Sequence, residues 1–294
     1  MEKEKKHWYD KYYKIILILP IVLLLLSLFY LYNFQQEHDD IILKDVTLTG
    51  GTTISVFDKN IQLSDLQSKL SGEFPDLSIR VLSDFRTGEE RGFILETQSS
   101  IEEIRPALES VLGYELTQEN SSIEFSGAAI SKGFYQQLRF AILIAFIFMA
   151  IVVFILFRTF IPSIAVILAA FSDIIMTITV VDLLGIPLST AGIVAFLMLI
   201  GYSVDTDILL TSRMLKSKEG NTNERLFSAF ITGITMTLTS ITAMAVALVI
   251  VYNSSEVLRQ IFTILLIGLC FDLLNTWTAN ASILKLYVER KESS

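Results

Sequence analysis

Six long apolar runs dominate the pattern of hydrophobic and polar positions along this chain. Each run is long enough to cross about 30 Å of hydrocarbon as a helix, which takes roughly 20 residues. We predict six membrane helices, numbered 1 to 6, over residues 14–34, 138–157, 160–183, 187–211, 227–251 and 257–286. The first run ends in aromatic residues, and no small-residue cleavage site follows it. This indicates an uncleaved anchor and not a signal peptide.

The segment between helices 1 and 2, residues 35–137, has no long apolar run and shows the sequence patterns of strands and short helices. Alternating, β-branched stretches predict strands at Val46–Phe57, Leu77–Leu82, Gly92–Thr97, Tyr114–Gln118 and Ile123–Phe125. Serine caps predict two helices, Asp65–Leu70 and Ile101–Leu112. The predicted order is β-α-β-β-α-β, which indicates an α+β ferredoxin-like domain. Because this fold serves many functions, it does not identify one.

Charge separates the two parts of the chain. The whole chain has a net charge of −8, and 52% of its residues are hydrophobic. Residues 35–137 hold 18 acidic and 8 basic side chains, a net of −10, so this segment is predicted to face water. The lack of a basic face argues against nucleic acid as a partner. The single cysteine, Cys270, lies in an apolar run and has neither a disulfide partner nor a metal-ligand spacing.

Lysine and arginine mark one side of the membrane. They precede helix 1, lie after helices 2 and 4, and follow helix 6, whereas the loops at Leu184–Pro187 and Tyr252–Glu256 contain none. The positive-inside bias predicts a multi-pass protein of the cell membrane with both termini in the cytoplasm. The predicted divisions are residues 1–34 (cytoplasmic N-terminus and helix 1), 35–137 (extracytoplasmic domain), 138–286 (helices 2 to 6) and 287–294 (cytoplasmic tail).

Four acidic residues lie within the predicted helices. Asp173 is near the middle of helix 3, Asp272 is near the middle of helix 6, and Asp205 and Asp207 are in the inner half of helix 4. Each costs about 2.5–3.5 kcal/mol on insertion scales, so each predicts a functional site. Asp182 is close to the outer surface and is expected to be solvated.

Polar residues on helices 4, 5 and 6 accompany these acids. Serine, threonine and asparagine can simply hold helices together through hydrogen bonds. Four acids with no basic residue at comparable depth indicate more than this, because a protonatable carboxyl group in a wet interior is what a proton relay requires. We expect the acids to lie at a hydrated seam with another subunit.

Short motifs in these segments resemble those of a known family. They are Thr49-Gly50-Gly51-Thr52 after helix 1, Ser172-Asp173 in helix 3, Gly201-Tyr202-Ser203-Val204-Asp205 in helix 4 with Arg213 beyond it, and Thr239-Ser240-Ile241-Thr242 in helix 5. They resemble, in that order, the Gly-Gly motif, the His-Asp pair, the Gly-Tyr-Ser-Val-Asn-Asp stretch with its arginine, and the Thr/Ser signature of SecF in the SecD/SecF protein-export family. The resemblance covers nearly the whole chain.

The resemblance implies a function and an architecture. Six helices would form an RND-type half-bundle, and SecD would supply the other half of a twelve-helix heterodimer about a pseudo-twofold axis. The implied role is that of an accessory subunit beside the Sec channel, which assists late steps in the movement of unfolded polypeptides and draws on the proton gradient. Neither a cofactor nor a metal is implied, and we do not expect an enzyme.

Two positions depart from the bacterial pattern and resemble the archaeal branch. Thr206 stands where bacterial relatives have an aspartate, and the helix 5 arginine that would pair with it falls at about Thr235. Threonine offers no positive charge to a carboxylate. Either Asp205 or Asp207 relays protons with other partners, which SecD could supply, or this chain does not use the gradient in this way.

Two other functions are compatible with intramembrane acids. An intramembrane aspartyl protease would share a proton between two aspartates, but its Tyr-Asp and Gly-x-Gly-Asp motifs do not occur in the predicted helices. A half-unit of an RND-like exporter of small molecules or lipids would have the same six helices. The domain at residues 35–137 is small for an efflux porter, which disfavours this alternative.

Overall fold

The computed structural model describes residues 13–38, 40–58, 61, 63–83, 89–217, 220–252 and 255–292. Six helices within these ranges are long and apolar enough to cross a membrane, which confirms the six-helix prediction. Helix 1 spans Ile18–His38, helix 2 Ala128–Phe157, helix 3 Phe160–Leu183, helix 4 Thr190–Lys216 and helix 5 Thr222–Val251. Helix 6 is continuous and consists of Glu256–Asn275, a π-helical turn at Thr276–Asn280, and Ala281–Glu292. The first 12 residues of the predicted cytoplasmic N-terminus lie outside the described ranges.

Local signals fix where the membrane helices begin. Ser189 caps helix 4 by accepting hydrogen bonds from the backbone N–H groups of Ala191 and Gly192. Asn221 and Glu224 form a capping box at the start of helix 5. These caps satisfy backbone groups that the first helical turn leaves without partners. They set the register in which side chains of neighbouring helices meet.

Four strands and three short helices build the domain between helices 1 and 2 in the described part of the chain. The strands are β1 Gly51–Val56, β2 Ser78–Ser83, β3 Glu90–Thr97 and β4 Ser121–Ser126, and the helices are α1 Val46–Thr49, α2 Leu63–Leu70 and α3 Ile101–Leu112. The sheet is antiparallel with the order β2-β3-β1-β4, as the predicted ferredoxin-like fold requires. Helices α2 and α3 bury Leu66, Ile104 and Leu108 against Ile54 and Phe93 of the sheet. We call this unit the outer domain, after the side of the membrane that the basic residues predict.

One predicted strand is wrong, and the strand predicted at Val46–Phe57 is confirmed only over Gly51–Val56. Val46–Thr49 is helical, because Asp45 accepts the N–H of Thr47 as an N-cap and Gly50, with φ of 86°, ends the turn. Tyr114–Gln118 is not a strand. Side chains of α3 take its central backbone groups: Glu109 accepts the N–H of Leu116 at 2.9 Å, and Arg105 donates to the Leu116 carbonyl at 2.8 Å.

The turn between helices 3 and 4 pairs with the segment that follows helix 1. Leu188 donates its N–H to the carbonyl of Leu43 at 2.7 Å and accepts from the N–H of Asp45 at 3.0 Å. Thr47 accepts from the N–H of Thr190 at 3.0 Å. These bonds tie the base of the outer domain to the membrane bundle. We call this contact the junction.

The junction also buries Asp182, which we had expected to be solvated. Asp182 is 4% exposed, and one of its carboxylate oxygens accepts the N–H of Leu43 at 3.3 Å. Its position near the end of helix 3 was read correctly, but the segment after helix 1 folds over it. Depth in the membrane therefore did not predict exposure at this position.

Candidate functional site

Three of the four intramembrane acids meet inside the bundle. Asp173 of helix 3, Asp207 of helix 4 and Asp272 of helix 6 are all fully buried within this chain. The sequence predicted their depth but placed them at a seam with another subunit. The structure instead encloses them among the helices of this chain. We call them the acid cluster.

Asp173 is held by one neighbour on each side. Ser203 of helix 4 donates its hydroxyl to Asp173 Oδ2 at 2.5 Å, and Asn275 of helix 6 donates its amide to Asp173 Oδ1 at 2.7 Å. Both carboxylate oxygens therefore have a donor. Because these donors come from two other helices, Asp173 fixes the contact of helix 3 with helices 4 and 6.

One threonine links the other two acids. The Thr276 hydroxyl lies 2.9 Å from Asp207 Oδ1 and 3.1 Å from Asp272 Oδ1. A hydroxyl has a single proton, so it donates to one carboxylate at a time. The second contact becomes a hydrogen bond only when the other carboxyl group carries a proton and donates it to the threonine oxygen. The geometry suits a pair of acids that share a proton through Thr276.

The π-helical turn of helix 6 supplies both donors to Asp207. Thr276 and Asn280 are its first and last residues, and the Asn280 amide donates to Asp207 Oδ1 at 2.7 Å. The turn closes through a hydrogen bond from the N–H of Ala281 to the carbonyl of Thr276. Single π turns are rare in α-helices and occur often at functional sites.

Several oxygen atoms of the cluster have no hydrogen-bond partner in the described structure. They are Asp207 Oδ2, Asp272 Oδ2, Asn275 Oδ1 and Asn280 Oδ1. Buried polar atoms are nearly always satisfied by protein or by ordered water, and an unsatisfied one costs about 1–3 kcal/mol. Across the ranges that are described, no lysine, arginine or histidine donates to the three carboxyl groups. The cluster is thus polar, buried and without a basic residue bonded to it.

Asp205 and Thr235 do not join the cluster. Asp205 is exposed on the opposite face of helix 4, and Thr235 is exposed on helix 5. The Thr235 hydroxyl donates to the Ile231 carbonyl of its own helix at 2.7 Å. Thr206, at the position of the bacterial aspartate, is buried, and its hydroxyl lies 3.4 Å from that of Thr237. Neither threonine contacts a carboxylate of the cluster through a described hydrogen bond.

The family-motif residues fall into two groups. Ser203 belongs to the cluster, whereas Gly201 and Tyr202 are on the exposed face of helix 4. No atom lies within 4 Å of the position that a Cβ at Gly201 would take. Arg213 binds helix 4 to helix 5 by donating to the Ser228 carbonyl at 3.0 Å. The motif therefore serves both the interior and the outer surface of the bundle.

Gly50 and Gly51 allow a close approach at the base of the outer domain. A Cβ at Gly50 would overlap the backbone of Ala128, where helix 2 begins, and a Cβ at Gly51 would overlap the Thr97 carbonyl at the end of β3. Both residues also have positive φ, 86° and 148°. Side chains are excluded here by space as well as by backbone conformation.

From the sequence, the amide and hydroxyl residues of helix 6 are predicted only to hold helices together. Asp272, Thr276 and Asn280 are spaced four apart, which places them on one helical face. This spacing is the signal that associates them. A fully buried lysine on the same helix, Lys285, was also missed. Lysine near the end of a membrane helix normally reaches the interface, so nothing in the sequence marks it as buried.

Comparison with known proteins places this geometry in a family. The family model described as "Protein export membrane protein SecD/SecF, C-terminal" matches residues 108–290. The chain is 38% identical to the protein-export membrane protein SecF of Methanocaldococcus jannaschii, over 95% of this chain and 96% of that one. It is 41% identical to the SecF of Methanothermobacter thermautotrophicus, over 84% of each chain. Both relatives are archaeal, as the resemblance implied.

A solved structure has the same fold. The crystal structure of SecDF from Thermus thermophilus, described as a translocon-associated membrane protein, matches with a TM-score of 0.73 at 18% identity. The match covers 98% of this chain and 39% of the SecDF chain. This chain thus spans about two-fifths of that longer protein. At this identity the likeness supports the architecture of six membrane helices with an outer domain.

Proposed function

This chain belongs to the SecD/SecF protein-export family as a SecF, and we propose that its acid cluster carries the protons that drive export. Membership makes the chain an accessory subunit of Sec protein export. The comparisons do not favour the alternative of a small-molecule or lipid exporter.

The contact of Thr276 with two carboxyl groups carries the proposal. A proton on Asp272 passes to the Thr276 oxygen while the hydroxyl proton of Thr276 passes to Asp207, so one proton moves and the threonine is unchanged. The unpartnered oxygens, Asp207 Oδ2 and Asp272 Oδ2, are the atoms through which this pair would exchange protons with water. Asp173, with a donor on each oxygen, is a positioning carboxylate for the pair.

The exposed face of helix 4 supports the proposal that a second membrane subunit binds there. A carboxylate such as Asp205 is costly against lipid, so intramembrane acids almost always face protein or water. Exposed threonines on helix 5 (Thr235, Thr239 and Thr242) add a polar stripe, although each hydroxyl bonds to its own helix. We propose that a SecD-type half of six helices covers this face and pairs with Asp205 in a twelve-helix heterodimer beside the Sec channel.

The distribution of basic residues supports an orientation. Both termini would lie in the cytoplasm of a cell-membrane protein, with residues 35–137 outside, where the outer domain would meet the exported, unfolded polypeptide. This places the acid cluster in the membrane between the proton source and the cytoplasm. The end of the bundle at which helix 1 begins is then the cytoplasmic end.

Paired substitutions in helix 4 test the assignment. In cells in which the variant replaces the original chain, Asp207→Asn should lower the rate of secretion of a reporter protein by about a hundredfold, the scale of a lost proton-transfer group. Asp205→Asn should instead lower the amount of SecD-type subunit that co-purifies. The two variants change the same residue type two positions apart, so each is the control for the other.

Two results would contradict these assignments. Normal secretion with Asp207→Asn excludes the proton role and leaves the family membership intact. Full recovery of the SecD-type subunit with Asp205→Asn excludes the proposed pairing at the exposed face.

A further inference from the structure

Buried polar side chains continue along helix 6 beyond the acid cluster. Asn280, Ser282 and Lys285 are all fully buried. They approach the end of the bundle at which helix 1 begins, which we call the inner end. Lysine is almost never fully buried unless it has partners. Lys285 therefore needs an explanation, and the proposed proton pair does not use it.

Lys285 lies at the centre of a set of contacts between three helices. Its Nζ donates to Asn223 Oδ1 of helix 5 at 2.7 Å and lies 3.8 Å from Glu289 Oε1. The Tyr13 hydroxyl, from the start of helix 1, donates to Glu289 Oε2 at 3.0 Å. Ser282 donates to the Tyr13 carbonyl at 3.0 Å. We call these five residues the inner clasp.

Unpartnered oxygens extend from the acid cluster toward the inner end. Thr211 is fully buried one turn beyond Asp207 on helix 4, about 6 Å further along the axis. Its hydroxyl has no hydrogen-bond partner within the described ranges, and neither has Asp207 Oδ2 or Asn280 Oδ1. Helices 4 and 6 are the fourth and sixth of six alternating helices, so both run toward the inner end.

Water is the ordinary partner of such atoms. Buried waters typically make about three hydrogen bonds to polar groups that the protein leaves unsatisfied. Each buried oxygen without a hydrogen-bond partner would lower the stability of the bundle. Because several such oxygens occur along the same two helices, we favour a row of water molecules that binds them over separate unpaired atoms. Thr211 on helix 4 and Asn280 on helix 6 both lie on helices that run toward the inner end, where Lys285 lies.

We propose that a water passage runs from Asp207 along helices 4 and 6 to the inner end, and that the inner clasp with Lys285 is its gate. This inference rests on the proposed function of the acid cluster. The proton that leaves Asp207 passes to water, and the clasp exchanges no proton itself. Lys285 closes the passage by holding helix 5 through Asn223 and helix 1 through Glu289 and Tyr13. Release of the Lys285 contacts opens it.

Thiol labelling at Thr211 tests the passage. The chain has one cysteine, Cys270, so Cys270→Ser leaves this chain without a thiol, and labelling is read on this chain in inside-out membrane vesicles that hold the complex. In this background Thr211→Cys should react with a small, water-soluble methanethiosulfonate reagent. Adding Lys285→Met should speed the reaction about tenfold, the shift expected when one charge-assisted hydrogen bond is lost. Leu210→Cys is the control, because Leu210 is equally buried but lies in an apolar cluster.

Each outcome decides the proposal. Labelling of Thr211→Cys that Lys285→Met accelerates, with Leu210→Cys unlabelled, supports the gated passage. A Thr211→Cys thiol that stays unlabelled in both backgrounds overturns the passage, and one labelled equally in both overturns the gate. If Lys285→Met does not fold, Tyr13→Phe removes the hydroxyl bond to Glu289 and should accelerate labelling to a smaller extent. A negative result here with a clear effect of Asp207→Asn on secretion would refute the passage and leave the proton role standing.

Discussion

Helix 4 presents two faces with opposite surroundings. On one face, Ser203 and Asp207 are enclosed by helices 3 and 6 and take part in a hydrogen-bond network. On the other, Gly201, Tyr202 and Asp205 are exposed. The two aspartates are two residues apart, which is more than half a helical turn. Their depth in the membrane is nearly equal, so the helical face, and not the depth, separates a proposed proton carrier from a proposed contact with another subunit.

Removal of the shared hydroxyl should have the largest effect. Thr276→Val keeps the size of the side chain and both acids but removes the group that joins them. We expect the rate of secretion to fall by about a hundredfold, comparable with the loss of a proton-transfer group. Measurement of the secreted reporter, with the amount of recovered complex as the reference, checks this.

Thr278→Val is the matched control for Thr276→Val. Thr278 lies two residues further along helix 6, and its hydroxyl bonds to the Leu274 carbonyl of its own helix. Its loss should leave secretion unchanged. Unchanged secretion with Thr276→Val would show that the interior face tolerates the loss of this hydroxyl. An equal fall with both variants would show that the effect is not specific to Thr276, and in either case the proposed contrast between the faces would fail.

Glycine substitutions probe the same contrast through packing. A Cβ at Gly233 of helix 5 would overlap the Trp277 ring and lie 3.2 Å from Thr206 Cγ2. Gly233→Ala should therefore lower the free energy of unfolding by about 1–3 kcal/mol, as overpacking does. Gly201→Ala, where space is open, should leave it unchanged or raise it by up to about 1 kcal/mol through helix propensity. Thermal unfolding of the purified chain in detergent compares the two. A larger loss with Gly201→Ala would contradict the assignment of faces.

Asp40 is an acidic residue that has a basic partner, Lys44, whereas no basic residue is bonded to the acid cluster in the described structure. It lies outside the membrane at the junction and accepts from Lys44 at 2.9 Å and from Tyr135 at 3.0 Å. Burial alone would raise the pKa of Asp40, but the hydrogen bonds from Lys44, the Ile41 N–H and Tyr135 hold that pKa below its ordinary value. This carboxylate is therefore stabilised as an anion.

The smallest effect on stability is expected from a substitution at Asp40. Because its folded pKa is lowered, Asp40 contributes stability above its unfolded pKa of about 4 and loses it as the pH falls through the folded value. Asp40→Asn should remove about 1 kcal/mol at neutral pH, the scale of a partly exposed ion pair. The difference from the original chain should vanish in strong acid. Unfolding of both chains across pH tests this, and a difference that grows in acid would reverse the assigned sign.

The sequence predicted the membrane helices and the order of the outer domain because both follow from local periodicity. Apolar runs define a span whatever its neighbours are. The Tyr114–Gln118 assignment failed for a non-local reason, since Arg105 and Glu109 bind the backbone that a strand would have used. Val46–Thr49 failed because the Asp45 cap outweighed β-branched composition.

The sequence marked four intramembrane acids as candidates but did not predict which three of them meet. Asp173, Asp207 and Asp272 were recognised because carboxyl groups are rare at that depth. The exposure of Asp205 depends on how helix 4 is rotated in the bundle, which spacing along one helix does not fix. The π-helical turn at Thr276–Asn280 is set by tertiary contacts with Asp207. No residue type in this segment predicts a π-helical turn.

The junction gives the two acid-bearing helices a mechanical output. Helices 3 and 4, which carry Asp173 and Asp207, are joined by the turn at Leu188, and that turn is fastened to Leu43 and Asp45 by backbone hydrogen bonds. A backbone ladder is far stiffer than a contact between side chains. A change in the spacing of these two helices would therefore be transmitted to the base of the outer domain, and this is the connection that export driven by the acid cluster would need.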